Sequence, residues 1–164
     1  MNTKLKIFFL LITITLSNIV SAEKNNNDPE KDKILISVIN YMLSNGHFVQ
    51  KDINDDFSEY VYTNFIDGLD PSKRYFTQED LKEFSQFKYQ IDNQIKEGNI
   101  DFYKLVYNRF TEKINSAKTY YGGLLSGTFD YDKKEIIDVD YDKVPYAANE
   151  KELVDYWRKQ LKLQ

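Results

Sequence analysis

Fourteen consecutive residues, Gly68 to Leu81 (GLDPSKRYFTQEDL), hold a helix stop, a rigid turn and a helix start. Gly68 can take the left-handed conformation that closes a helix, and Leu69 then folds back on the turn it has left. Asp70 is biased to extended geometry by the proline that follows, and Pro71 presets the turn. Phe76 and Leu81 occupy the two positions of a hydrophobic staple around Thr77, with Asp80 placed to complete an acidic capping box. A chain turned and restarted over about eight residues leaves two helices side by side.

Apolar spacing extends this reading. Ile34, Leu35, Val38, Ile39, Met42 and Leu43 recur at intervals of three and four, which gathers them on one helical face ahead of a stop at Gly46. A second helix is predicted over Asp55–Asp67, with Phe57, Tyr60, Val61, Asn64 and Phe65 inward. A third covers Gln78–Glu97 on a seam of Leu81, Phe84, Ile91 and Ile95. A fourth covers Ile100–Tyr121, ending at Gly122-Gly123. The two-residue link Gly98-Asn99 predicts that the third and fourth form an antiparallel hairpin. Between Leu124 and Ala148 the alternation of Phe129 with Tyr131, and of Ile137, Val139 and Tyr141 with acids, predicts an extended arm or a small hairpin about Lys133-Lys134, its aromatics against the bundle. A last helix starts at Asn149, with Leu153, Tyr156, Trp157 and Leu161 inward. It reaches Gln164 without glycine, proline or cap, as a domain with more chain beyond it does. The fold expected is all-α: an antiparallel bundle of about five helices with that arm before the last.

The amino terminus places Lys4 and Lys6 before the apolar run Ile7–Leu16 and small residues at Val20-Ser21-Ala22. This is the order of a secretory signal, and the run is too short for a membrane span of roughly 20 residues. Residues 1–22 are read as a signal peptide, 23–33 as a flexible polar leader and 34–164 as one helical domain. No cysteine is present, so an exported chain of this kind relies on its packed core, for which 13 Tyr, 11 Phe and one Trp supply the area. Losing Lys4 and Lys6 turns 22 basic residues into 20 against 26 acidic ones, and the net charge from -4 into -6. With lysines and acids interspersed, neither nucleic acid nor a membrane is an expected partner.

The motifs of catalysis or metal binding are incomplete. His47 is the one histidine, with no cysteine to join it in a transition-metal site. Ser85 and Lys88 lie one helical turn apart, as in S-x-x-K, without companion motifs; Lys88 is read as a seam-edge residue whose ammonium reaches water. Asp138, Asp140 and Asp142 are spaced like the start of a calcium loop, but Lys143 stands where glycine is needed, Pro145 intervenes, and Asn149 replaces the bidentate glutamate. No catalytic residue, metal or cofactor is assigned.

Leu69–Leu81 (LDPSKRYFTQEDL), followed by an amphipathic pair and by Tyr146–Lys162 (YAANEKELVDYWRKQLK), resembles the N-terminal domain of the tail-specific, or carboxy-terminal processing, proteases, in the same order from about Ile34 to Lys162. The resemblance implies a periplasmic serine endopeptidase whose PDZ module and Ser-Lys peptidase domain follow this domain, so that its catalytic residues lie downstream of position 164. Its partners would be protein substrates and, in some members, a lipoprotein adaptor; the helical domain helps enclose substrate. The residues that carry over are Asp70, Pro71, Ser72, Lys73, Arg74, Tyr75 and Phe76 in the corner and Trp157, Arg158 and Lys159 in the last helix. Other readings are a free-standing exported helical module that binds a partner, and, behind it, a small enzyme.

Overall fold

A computed structural model describes residues 28–46 and 52–164. Among them are six α-helices: α1 (Pro29–Tyr41), α2 (Asp55–Leu69), α3 (Gln78–Phe84), α4 (Ile91–Glu97), α5 (Asp101–Ser126) and α6 (Glu150–Leu163). The fold is all-α, with one helix more than expected. Residues 1–22, read as a signal peptide, leader residues 23–27 and His47 lie outside the described residues.

Helix α1 starts five residues before its apolar repeat, because Asp28 accepts hydrogen bonds from the Glu30 and Lys31 amides at 3.1 and 3.4 Å and Pro29 fits the first turn. It passes through a π-turn at Met42–Gly46. Its apolar face is not the face that packs. Ile34 is 64 % and Met42 62 % exposed, and Leu35, Val38 and Ile39 also face out. The helix is held on its other side: Ile36 packs against the core cluster and lines a small apolar pocket with Val61, Phe65, Ile95 and Phe102, the Lys33 stem crosses Gly98, and Asp32 pairs with Lys104 at 3.4 Å. Position-by-position spacing names an amphipathic face; which side docks depends on the groove available.

The core joins Ile66, Phe76, Phe84, Ile91, Ile95, Phe102 and Val106. Phe76 and Phe84 meet edge to face at 5.3 Å, and Phe65 meets Phe102 at 5.6 Å. The seam predicted for the third helix does face in. On α2, Phe57, Val61 and Phe65 pack against that core as expected, with Ile66 and Ser58 buried beside them, whereas Tyr60 and Asn64 are exposed.

The single helix predicted over 78–97 is two. After Phe84 the backbone tightens into a 3-10 turn at Ser85–Phe87, with the Ser85 hydroxyl donating to the Lys82 carbonyl, and Gln90 leaves helical geometry. The amide that this break frees at Asp92 donates to Ser58 Oγ at 2.9 Å, while the Ser58 hydroxyl donates to Asp92 Oδ1 at 2.9 Å. A residue of α2 thus caps α4 across the core. Gly98 ends α4 as expected, at φ 74°, with the Asn99 amide bonded to the Gln94 carbonyl and the Gly98 amide to that of Ile95. Gln94 then receives the Phe102 amide on its side-chain oxygen at 3.0 Å, tying α5 to the end of α4.

Two other glycines behave differently from expectation. Helix α5 continues through Gly122-Gly123 and stops at Gly127; two glycines weaken a helix but do not forbid it. Gly68 lies within α2, which runs to Leu69, and is not left-handed.

Residues 127–149 contain no strand, so the hairpin arm is not formed. Its aspartates bond to nearby backbone instead: Asp130 accepts from the Asp132 and Lys133 amides, and Asp138 from that of Asp140. Such local turns compete with an extended ladder. The arm is held by side chains, and a lone bridge joins Thr77 to Ala147, where the Gln78 amide bonds to the Ala147 carbonyl at 2.9 Å. Tyr141 and Tyr146 are half-buried against the bundle, Phe129 is half-buried beside Tyr131 of the arm, and Tyr131 is exposed.

The contrast between glycines is testable by urea unfolding. A Cβ at Gly68 meets nothing within 4 Å, so Gly68→Ala should stabilise by roughly 0.5–1 kcal/mol. At Gly98 a Cβ falls 2.8 Å from Lys33 Cγ in left-handed backbone, so Gly98→Ala should destabilise by about 1 kcal/mol or more.

Candidate functional site

The corner after α2 is built around one buried carboxylate. Asp70 caps the end of α2 by donating its amide to the Ile66 carbonyl, and its own carbonyl accepts the Lys73 amide at 3.1 Å, with Pro71 and Ser72 at the centre of the turn. Lys73 takes the left-handed conformation, φ 52°, that the sequence had assigned to Gly68. The chain can then loop over the Asp70 side chain. Oδ1 accepts the Arg74 amide at 2.7 Å, and Oδ2 accepts those of Tyr75 and Phe76, both at 2.9 Å. Burial pushes this carboxyl above the ordinary aspartate range, against the pull of the three amides and of the Arg74 charge.

Next comes the restart. Thr77 and Asp80 form the expected capping box: the Thr77 amide and hydroxyl both donate to Asp80 Oδ2 at 2.8 Å, and the Asp80 amide donates back to Thr77 Oγ1. Two cations of α5 then close on Asp80, Arg109 on Oδ1 and Lys113 at 3.2 Å from Oδ2. Burial alone would raise this carboxyl, but the Thr77 amide, Arg109, the Thr77 hydroxyl and Lys113 together hold it below its usual range.

Helix α6 packs onto the corner, bringing together segments more than 80 residues apart. Asn149 caps the helix through the Glu152 amide. The Trp157 indole N–H donates to the Arg74 carbonyl at 2.8 Å, and Tyr75 places its ring edge-on between Trp157, at 6.0 Å, and Phe110, at 5.2 Å. The Arg74 guanidinium lies over the Trp157 and Tyr141 rings and donates to Tyr141 Oη at 3.2 Å and to Gln160 Oε1 at 3.3 Å. Its hydrogen bond to Tyr141 draws that phenol below its ordinary range. Lys73 donates to the Val144 carbonyl at 2.5 Å and lies near the Tyr146 ring. Burial, with Asp70 and Asp67 nearby, pushes the Tyr146 phenol upward.

Eight of the ten motif residues therefore surround one joint, although Pro71 is exposed and the half-buried Ser72 hydroxyl makes no hydrogen bond among the described residues. The other two turn away: Lys159 pairs with Asp155 at 2.9 Å, and Arg158 engages Glu135 of the arm and Asp155. Gln160, buried between Arg74 and Tyr156, and the arm anchor Glu135 were not selected from sequence, whereas Tyr141 was expected among the arm aromatics that lie against the bundle. Gln160 lies three residues after Trp157 on the inner face of α6, but a glutamine there looks like any polar helix residue.

The chemistry of this joint is cohesive. Ser85 donates to a carbonyl, while Lys88 pairs with Glu59 at 2.8 Å, an interaction that keeps its ammonium protonated and away from the role of a base. Among the described residues no three His, Cys, Asp or Glu side chains gather as metal ligands, and Asp140 is paired with Lys143 at 2.6 Å. Between the corner and α6 lies a cleft of about 340 Å³ lined in part by Lys73, Tyr146, Glu152 and Lys159.

Residues 38–164 match the model described as the tail specific protease N-terminal domain, and the chain belongs to that family. It is similar to the tail-specific protease of Haemophilus influenzae (strain ATCC 51907 / DSM 11121 / KW20 / Rd), 26 % identical over 122 residues. That alignment covers 73 % of this chain and 17 % of the relative. No helix among the described residues is long and apolar enough to cross a membrane.

Removing the Asp70 acceptors by Asp70→Ala should lower stability by roughly 2–4 kcal/mol, since three amides lose their partner, whereas Trp157→Phe, which forfeits one hydrogen bond and part of the indole, should cost about 1–2 kcal/mol; denaturant midpoints check both. Asp80 sets an acid limb. Because its folded pKa is depressed, its contribution is complete above the unfolded value of about 3.9 and is lost as pH falls through the folded value. Asp80→Asn should be less stable at neutral pH and should lose less of its stability on acidification, as followed by melting temperature.

Proposed function

We propose that this chain is the non-catalytic N-terminal helical domain of a periplasmic carboxy-terminal processing serine endopeptidase. Residues 1–22 act as its export signal, and a short leader precedes the domain. Proteolysis belongs to PDZ and Ser-Lys peptidase domains that follow in the full protein, and this domain helps enclose protein substrates and meets an adaptor. The observation that carries the reading is the joint: of the residues that carry the family resemblance, Asp70–Phe76 and Trp157 converge, and Trp157 donates to the carbonyl of Arg74. A rigid corner gripping α6 suits a domain whose task is to hold that helix in a fixed direction. The chain spans about one-sixth of the curated relative it matches, which supports an assignment to one part of a larger enzyme.

A second reading has its own support. The apolar face of α1, which no other described residue covers at Ile34, Leu35, Val38 and Met42, favours an exported module that binds a partner without cutting it.

Sequencing the coding region beyond the Gln164 codon separates the two. Continuation into PDZ-like and peptidase sequence is expected; an immediate stop codon overturns the protease-domain reading in favour of the binding module. Peptide hydrolysis by purified residues 23–164, abolished by Ser85→Ala, would overturn both.

A further inference from the structure

The stretch from Ile34 to Gly46 carries no charged residue, and it forms most of α1 and all of its π-turn. The docked side of this helix is taken up by Ile36, the Lys33 stem and Asp32. Val38, two residues on, lies roughly 200° further around the helix and so nearly opposite Ile36. Ile34, Leu35, Tyr41 and Met42 gather around it, and all five are more than half exposed. Two rows of side chains spaced by four, Ile34–Val38 and Ser37–Tyr41, stand on this side with a furrow of about 460 Å³ between them. Such a furrow accepts the matching row of another helix. The charges of α1 are confined to its first turns, where Glu30 and Asp32 alternate with Lys31 and Lys33.

We propose that two copies of the chain pair through this face, α1 against α1, antiparallel about a two-fold axis near Val38. A symmetric interface of that kind needs a patch that complements itself. With the axis at Val38, Ile34 of each copy meets Met42 of the other and Leu35 meets Tyr41, so apolar side chains cover one another and no charge is desolvated. Lys31 then reaches the last turn of the other α1, where the helix ends negative and neither it nor the π-turn supplies a basic residue. Covering the open parts of Ile34, Leu35, Val38, Tyr41 and Met42 on both copies removes roughly 1,200 Å² from water, the lower limit of a stable pairwise interface. An uncharged face offers a strongly acidic or basic partner nothing to grip, and the balanced charges of the first turns do not attract an anionic membrane. The pairing goes beyond both functional readings and does not depend on which of them holds.

Sedimentation equilibrium of the purified chain should show a reversible exchange between monomer and dimer. Val38→Glu should weaken that association by about tenfold or more and leave the melting temperature of the dilute chain unchanged. The sequence has no cysteine, so Val38→Cys places a single thiol beside the axis. Mild oxidation should join it into a disulfide-linked dimer, while Asn115→Cys, at an exposed position of α5, should stay monomeric. A chain that is monomeric at every concentration, a dimer indifferent to Val38→Glu, or equal cross-linking of the two thiols overturns the proposal. So does a monomer whose melting temperature falls with Val38→Glu, the result expected where residues 1–27 or 47–51 cover the face, and so does a monomer that binds phosphatidylglycerol vesicles through it.

Discussion

A carboxylate removed from water and given three backbone amides organises this domain. Asp70 is almost completely buried, and the amides of Arg74, Tyr75 and Phe76 converge on its two oxygens. Each amide would be costly to leave unpaired at such depth. That requirement dictates the path of the chain from Pro71 to Phe76, including the left-handed turn at Lys73. It delivers the fully buried Phe76 to the core beside Phe84, and it presents the Arg74 carbonyl to Trp157. The last helix is therefore positioned by a loop that a carboxylate has already made rigid.

A second carboxylate extends the arrangement into the bundle. Asp80 completes the α3 cap and receives Arg109 and Lys113 from α5, so that one side chain fixes a helix start and a helix pair. Asp92 behaves similarly, bonding Ser58 of α2 and Lys96 of its own helix. The short helices α3 and α4, seven residues each, are thus fastened by buried polar contacts as well as by apolar ones. Isolated helices of that length would be marginal in water.

Much of this was legible in the residues. Thr77 and Asp80 announced the α3 cap, Gly98 the α4 stop, and the order of the two motif segments the family. What local pattern could not show depended on distant neighbours. Ser58 is an ordinary helix residue until Asp92 is set against it, and without that cap nothing marks the break at Ser85–Phe87. Gly68 and Gly122-Gly123 resembled stops because glycine is permitted in left-handed backbone, yet permission is not obligation; at the corner Lys73 bears the positive φ. The arm's period-two pattern needed a partner strand and met aspartate turns and the Arg158–Glu135 pair instead. On α1 the periodicity was correct and the docked side was not, because Ile36 packs against the core and the wider apolar face finds no groove among the described residues.

The central claim is that the Asp70 corner is as cooperative as the core and holds α6 in place. Native-state hydrogen exchange addresses it directly. The amides of Arg74, Tyr75 and Phe76 should exchange with the same opening free energy as those of Phe84 and Val106, through global unfolding. Exchange of the corner amides at a much lower free energy, while the core stays closed, would contradict the account.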